Sequence, residues 1–195
     1  MRGAREGTSY FLYKNTCVCK EYYVLLCWKK KDSTMETEKI KVPVKQALPM
    51  IAEMVKLKYV TDALGKSSGW IYNKLNHETT TSKSSGFNQS DINLLNNLFQ
   101  EIGEKLINTR ICIPSEENND PIQRRKEVIE QILSVSEIIS MPFIYKDKMG
   151  KNLTWYLNRM RRNSLKASFK QDDINMINLA IVEIGNKLLS IELIL

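Results

Sequence analysis

Apolar residues recur at intervals of three or four positions in two long stretches of the chain, which is the period of an amphipathic α-helix. The two stripes consist of Ile92, Leu95, Leu98 with Phe99, Ile102 and Leu106, and of Ile174, Ile177, Ile181, Ile184, Leu188 and Ile191. Asn88 with Asp91, and Lys170 with Asp173, mark the helix starts, because side-chain acceptors and early acids satisfy free backbone amides. We therefore expect two long helices with buried apolar faces.

Shorter helical patterns precede each long helix. Residues 44–57 and 128–140 predict a first helix, and a short helix then ends at Leu64 or Met149 before a glycine. Another helix follows, through Trp70 or Trp155, and a large aromatic residue in that place is more often a core residue than a stacking platform. Because no alternating strand pattern of useful length follows residue 34, the predicted fold class is all-α.

The chain contains an internal repeat. Residues 87–107 and 169–189 are identical at 11 of 21 positions without a gap, and residues 65–76 share Gly, Lys, Trp and Asn with residues 150–161. The predicted organisation is an N-terminal extension (1–34), helical repeat 1 (35–113), a polar linker (114–121) and helical repeat 2 (122–195). The extension is interpreted either as a poorly ordered segment or as an artefact of start-site choice.

Positive charge is concentrated rather than spread evenly. The formal net charge is +7, of which residues 1–34 contribute +4. Residues 143–170 contain eight Lys or Arg and one acid, Asp147. Such a patch suits a polyanionic partner, and a solvated polar face explains it equally well.

Few residues are available for catalysis or metal binding. His77 is the single histidine, and Cys17 and Cys19 form a C-x-C pair without a second pair or a nearby histidine. No acid/base or metal constellation recurs in both repeats, so we predict a non-enzymatic protein without cofactor or metal. The longest apolar run of the extension, residues 22–28, is too short to span a bilayer, and no signal peptide is recognisable, which favours a cytoplasmic protein without membrane contact.

The order of elements is that of a helix-turn-helix protein, in which the second short helix enters the DNA major groove. Residues 63–76 resemble the Cro-type phage repressors in their Leu64-Gly65 turn, serine-rich helix start and final asparagine. The chain departs from that family at three positions per repeat, where the family has small or apolar residues. These positions are Thr61 or Lys146, Lys66 or Lys151, and Lys74 or Arg159. A longer turn or a rotated helix would accommodate them.

The repeat as a whole also resembles an uncharacterised family of short helical proteins from gut Bacteroidetes and their phages. The resemblance rests on the pattern G-K-x-x-x-W-x-x-N-[KR], then F-x-Q-x-D-I-N, then E-I-G-x-K-L, and it covers nearly everything after residue 44. It implies no particular activity.

These patterns support a first hypothesis, a DNA-binding protein with two helix-turn-helix-like domains, of the kind that regulates transcription in phages or mobile elements. Asparagine can pair with adenine and arginine with guanine, while hydroxyls and lysines hold phosphates of double-stranded DNA. The candidate contacts are Lys66, Ser67, Ser68, Asn73, Lys74, Lys151, Asn152, Thr154, Asn158, Arg159, Arg161 and Arg162. For each of them a solvated surface position is an equally good interpretation.

The second hypothesis is a helical protein-protein interaction module without nucleic-acid binding. Residues 188–195 are very apolar, and a monomer would have difficulty covering all of them. They favour a homodimer or a protein partner that docks through the C-terminal helix.

Overall fold

The computed structural model describes residues 39–76, 86–115, 120–161 and 167–195. Within these ranges the chain is mostly helical, with one pair of short strands, which confirms the predicted all-α class. In chain order the elements are β1 (Ile40–Pro43), α1 (Val44–Met54), α2 (Leu57–Ala63), α3 (Trp70–Leu75), α4 (Gln89–Ile107), α5 (Pro121–Ile138), the π-helical α6 (Phe143–Lys148), α7 (Leu153–Met160), α8 (Gln171–Ser190) and β2 (Ile191–Ile194). No described helix has the length and apolar character that crossing a membrane requires.

Some predicted features lie outside the described residues. They are the N-terminal extension with Cys17, Cys19 and Cys27, the histidine His77, the candidate contact Arg162 and the middle of the predicted linker.

The long helices α4 and α8 begin where the sequence predicts. The side-chain oxygen of Asn88 accepts the Asp91 backbone N–H at 2.9 Å, and the Asp91 carboxylate accepts the Asn88 N–H at 3.1 Å. At the second helix the Asp173 carboxylate accepts the Lys170 backbone N–H at 3.0 Å. These bonds satisfy amides that have no partner inside the helix, and this fixes both helix starts.

The two long helices pack against each other at a pair of glycines, Gly103 in α4 and Gly185 in α8. A Cβ atom added to Gly185 would lie 2.9 Å from the carbonyl oxygen of Gly103, and one added to Gly103 would lie 3.0 Å from that of Gly185. The helix backbones therefore approach more closely than any larger residue allows. This contact holds the centre of the fold together.

The hydrophobic core is shared between the predicted repeats. One cluster of buried side chains contains Leu48 and Ile92 from repeat 1 together with Ile132, Ile144 and Ile174 from repeat 2. Each repeat therefore covers apolar surface of the other, and the burial of apolar area is common to both.

Two predictions about element boundaries are wrong. The α8 helix ends at Ser190, and Ile191 starts strand β2, which pairs in parallel with β1 so that Ile40 lies opposite Ile191. The sequence predicted no strand here, because a four-residue strand is too short to show alternation. Helix α5 also begins seven residues before the predicted Val128, with Pro121 in the first turn, where proline's missing N–H costs nothing.

The apolar C-terminal tail is covered in part by the chain itself. Leu188 and Leu193 are buried, and only Ile194 and Leu195 among the last three residues are exposed. The Asn96 side chain donates to the Leu193 carbonyl at 3.0 Å and accepts the Leu193 N–H at 2.8 Å, which fixes the tail on α4. Leu188 and Leu193 therefore need no partner to be buried.

Candidate nucleic-acid interface

Each repeat has a tight turn between its second and third helices. The turns contain Gly65 with φ of +63° and Gly150 with φ of +62°, a backbone conformation that glycine adopts without the steric cost of a side chain. The amide of Lys66 then donates to the Thr61 carbonyl at 2.8 Å, and the amide of Lys151 to the Tyr145 carbonyl at 2.7 Å. Both turns therefore reverse at a glycine with positive φ, but the bond after the turn spans five residues in repeat 1 and six in repeat 2, where the preceding helix is π-helical.

The inner sides of α3 and α7 are anchored by tryptophan. Trp70 contacts Phe87 edge to face, with ring centroids 5.8 Å apart and planes at 87°, and Trp155 contacts Phe169 at 5.9 Å and 84°. Both tryptophans are half-buried and pack against the core. The expectation that they are core residues rather than stacking platforms agrees with this placement.

Lys74 points inward, although the sequence suggests a DNA contact. Its side chain is 12% exposed, and its Nζ lies 2.7 Å from the Asp91 carboxylate and donates to the Gly86 carbonyl at 2.9 Å. The ammonium group also lies 5.6 Å from the centroid of the Trp70 ring. The lysine is therefore held in an inward position with its charge compensated by Asp91.

Arg159 has the same role in repeat 2. Its Nε lies 3.2 Å from the Asp173 carboxylate, and its guanidinium carbon is 4.2 Å from the centroid of the Trp155 ring. The side chains of both partners are largely buried. Lys74 and Arg159 are thus held inside the chain, and a role in DNA contact would require their ion pairs to open.

Replacing Asp173 with asparagine is expected to lower the free energy of unfolding by about 1.5 kcal/mol, because the change removes the charge partner of Arg159 and weakens the helix cap. Chemical denaturation followed by circular dichroism measures the effect. Asp172→Asn is the matched control, since Asp172 is exposed in the same helical turn. Equal losses in the two variants would show that Asp173 acts only through the helix dipole.

The remaining candidate contacts lie mostly on the outer side of each turn and helix. The exposed ones are Lys66, Ser67, Ser68 and Asn73 in repeat 1, and Lys151, Asn152, Thr154 and Arg161 in repeat 2. Asn152 also caps α7, since its side-chain oxygen accepts the Trp155 N–H at 2.8 Å. Asn158 is half-buried, and its carbonyl is bound by Arg125.

The exposed sides contain no carboxylate of their own. Residues 63–77 and 148–170 include no Asp or Glu, and the acids that compensate Lys74 and Arg159 come from the long helices. The exposed cations Lys66, Lys151 and Arg161 therefore face solvent without an acid in the same turn-helix segment. Asp62 in α2 and Asp147 in α6 are exposed just before the two turns, so a polyanion would meet no like charge only from the turns and from α3 and α7 themselves.

A buried arginine, which the sequence did not single out, fixes the end of α7. Arg125 of α5 is 5% exposed. Its guanidinium donates to four backbone carbonyls at 2.6 to 3.1 Å, those of Asn158, Arg159, Arg161 and Ala167. Burial, and secondarily the charge of Arg159, lowers the pKa of Arg125. The carbonyls of Asn158 and Arg159, in the last turn of α7, carry the negative end of the helix dipole and help to compensate the buried charge.

The outer sides also carry large apolar residues that the sequence did not indicate as candidates. Tyr72 is 70% exposed on α3, while Leu153 is 54% and Leu157 51% exposed on α7. Tyr72 and Leu157 occupy the same position relative to Trp70 and Trp155. Once the tryptophans are known to face inward, the sequence shows that a large apolar residue recurs two positions after each of them.

No curated protein and no solved structure matches the chain. Residues 44–113 match the model of a family described as a domain of unknown function, DUF5053. The match agrees with the expected similarity to an uncharacterised family, and it covers repeat 1 from the start of α1 to the end of the repeat.

Proposed function

We propose that the chain is a non-enzymatic protein that binds double-stranded DNA through two helix-turn-helix-like units, α2 with α3 and α6 with α7. The observation that carries this proposal is the division of α3 and α7 into two sides. The inner sides are fixed by tryptophan and an ion pair, and the outer sides expose cations, hydroxyls and amides in segments without acids. A helix held in this way can present side chains to a groove with little loss of conformational entropy.

The chemistry of the exposed residues indicates which of them would contact phosphates and which would contact bases. Lys66 and Lys151 follow the turns directly, where a cation can contact phosphate, and Arg161 lies just beyond the end of α7. Asn73 on α3 and Thr154 on α7 are exposed polar groups whose side chains would contact base edges. A role in the transcription of phage or mobile-element genes belongs to the same proposal.

Duplex binding is expected to weaken steeply with salt. Three phosphate contacts give a slope of about −2.7 for log affinity against log salt, or about a fortyfold loss between about 50 and 200 mM. Fluorescence anisotropy with labelled fragments of mixed genomic DNA measures it. Affinity that does not change over this range, or no binding at the low salt concentration, contradicts the proposal.

One observation favours the alternative, a protein interaction module. Leu179 on α8 is 70% exposed, and Tyr72, Leu153 and Leu157 add apolar surface on α3 and α7. A single exposed apolar residue such as Leu179 is common on soluble proteins. The recurrence of exposed apolar residues on both α3 and α7 is therefore the stronger argument for a protein partner. Recovery of a stoichiometric protein partner free of nucleic acid would select this function.

A further inference from the structure

The two repeats make reciprocal backbone contacts. Residues 54–56, at the end of α1, lie antiparallel to residues 138–140, at the end of α5, with Val55 opposite Ile139. The Lys56 N–H donates to the Ile138 carbonyl at 2.9 Å, and the Ser140 N–H donates to the Met54 carbonyl at 2.8 Å. The two bonds are the same contact made in both directions, as a local two-fold axis requires.

A second reciprocal contact involves two asparagines. Asn178 of α8 accepts the Ile111 N–H at 2.9 Å and donates to the Ile111 carbonyl at 2.9 Å. Asn96 of α4 makes the same pair of bonds with Leu193, at 2.8 and 3.0 Å. Asn178 of α8 thus binds the segment that follows α4, and Asn96 of α4 binds the segment that follows α8. Asn96 and Asn178 are 82 positions apart, and so are Ile111 and Leu193.

The glycine contact completes the set, because Gly103 and Gly185 are also 82 positions apart and each approaches the other's carbonyl. In each of these contacts, a residue of repeat 1 contacts repeat 2, and the corresponding residue of repeat 2 makes the same contact with repeat 1. Such reciprocal contacts define a two-fold interface, here within one chain. Repeats related by translation would not exchange partners in this way.

The outer sides of the two candidate helices are chemically unequal. Counting from the tryptophans, Ser68, in the turn before α3, and Tyr72, on α3, correspond to Leu153 and Leu157 on α7. In the major groove the apolar group that a leucine can contact is the C5 methyl of thymine, whereas a serine hydroxyl bonds to base edges or phosphates. Two units related by a two-fold axis would meet two half-sites in opposite orientation, and these side chains would favour different bases in each.

We infer that the target is a duplex with two inverted half-sites of unequal sequence, the half-site beneath α7 carrying thymines that Leu153 and Leu157 contact. This inference rests on the proposed function. The two-fold contacts determine the orientation of the half-sites, and the exposed leucines determine their difference.

The test is a selection of binding sites from a random duplex library of about 30 base pairs with the full chain, near the spacing of two half-sites one helical turn apart. The expected product contains two different motifs in inverted orientation, one rich in thymine. Direct repeats, two identical halves, a single motif or retained duplexes without a common sequence would each overturn the inference and leave DNA binding standing. No retained duplex at low salt would overturn the proposed function itself, and the inference with it.

The assignment of leucine to thymine is tested on the selected duplex. Replacing thymine with deoxyuridine in the thymine-rich half removes only the C5 methyl, and we expect about a fourfold loss of affinity per contacted base. In the Leu153→Ser/Leu157→Ser variant the same replacement should have no further effect. Tyr72→Ser, also a change at an exposed residue, is the control and should keep the sensitivity to deoxyuridine. Equal sensitivity of all three proteins would contradict the assignment.

Discussion

Replacing Arg125 with methionine is expected to lower the free energy of unfolding by about 3 kcal/mol. The guanidinium group donates to four carbonyls at the end of α7 and in the following segment, and methionine would leave these acceptors without their donor in a buried place. Urea denaturation measures the total loss. Hydrogen exchange of the α7 amides should rise more than that of α4, since the cap acts locally.

The neighbouring Lys126→Met variant is the control for the loss of one positive charge from the same helix turn, and its effect should remain within about 0.5 kcal/mol. Arg125→Lys should fall between the two, because an ammonium group keeps the charge and some of the hydrogen bonds but not the planar geometry. An Arg125→Met variant as stable as Lys126→Met would show that the four bonds contribute nothing to stability.

Replacing Gly185 with alanine is expected to cost about 2 kcal/mol, although alanine normally stabilises a helix by about 1 kcal/mol relative to glycine. The added Cβ would lie 2.7 Å from the Ile107 side chain and 2.9 Å from the Gly103 carbonyl oxygen. The side chain can move, but the carbonyl belongs to the backbone of α4, so the helices must separate. Thermal and urea unfolding measure the loss.

Gly103→Ala should behave alike, because its Cβ would lie 2.7 Å from Leu189 and 3.0 Å from the Gly185 carbonyl. Asn186→Ala, an exposed position beside Gly185, is the matched control and should be neutral or slightly stabilising. A gain of stability in both glycine variants would contradict the close packing of α4 against α8 at Gly103 and Gly185.

The sequence predicted those parts of the fold that depend on local pattern. The stripes of α4 and α8 and the acids Asp91 and Asp173 at their starts are local signals, and both helices begin as expected. The strand Ile191–Ile194 was missed because Ile191 continues the stripe of α8, and only its pairing with β1, far away in sequence, makes it a strand. Local periodicity carries no information about such pairing.

The candidate interface was predictable in part. The exposed positions Lys66 and Lys151 follow from the glycine turns, while the inward positions of Lys74 and Arg159 depend on acids in another helix. A base and an acid repeated at matching places in both repeats were a signal of these ion pairs. Arg125 gave no such signal, because its acceptors are backbone carbonyls 33 to 42 residues further along the chain.

The most direct test of the account is the salt dependence of duplex binding in two double variants. Lys66→Gln/Lys151→Gln removes the exposed cations after the two turns, and Lys105→Gln/Lys187→Gln removes two exposed cations from the ends of α4 and α8. Circular dichroism confirms that both variants are folded. We expect the first variant to lose about 1.8 from the magnitude of the salt slope and the second to keep the slope of the unmodified chain. Equal slopes in the two variants, or a larger loss in the second, would contradict the assignment of α3 and α7 as the DNA-binding helices.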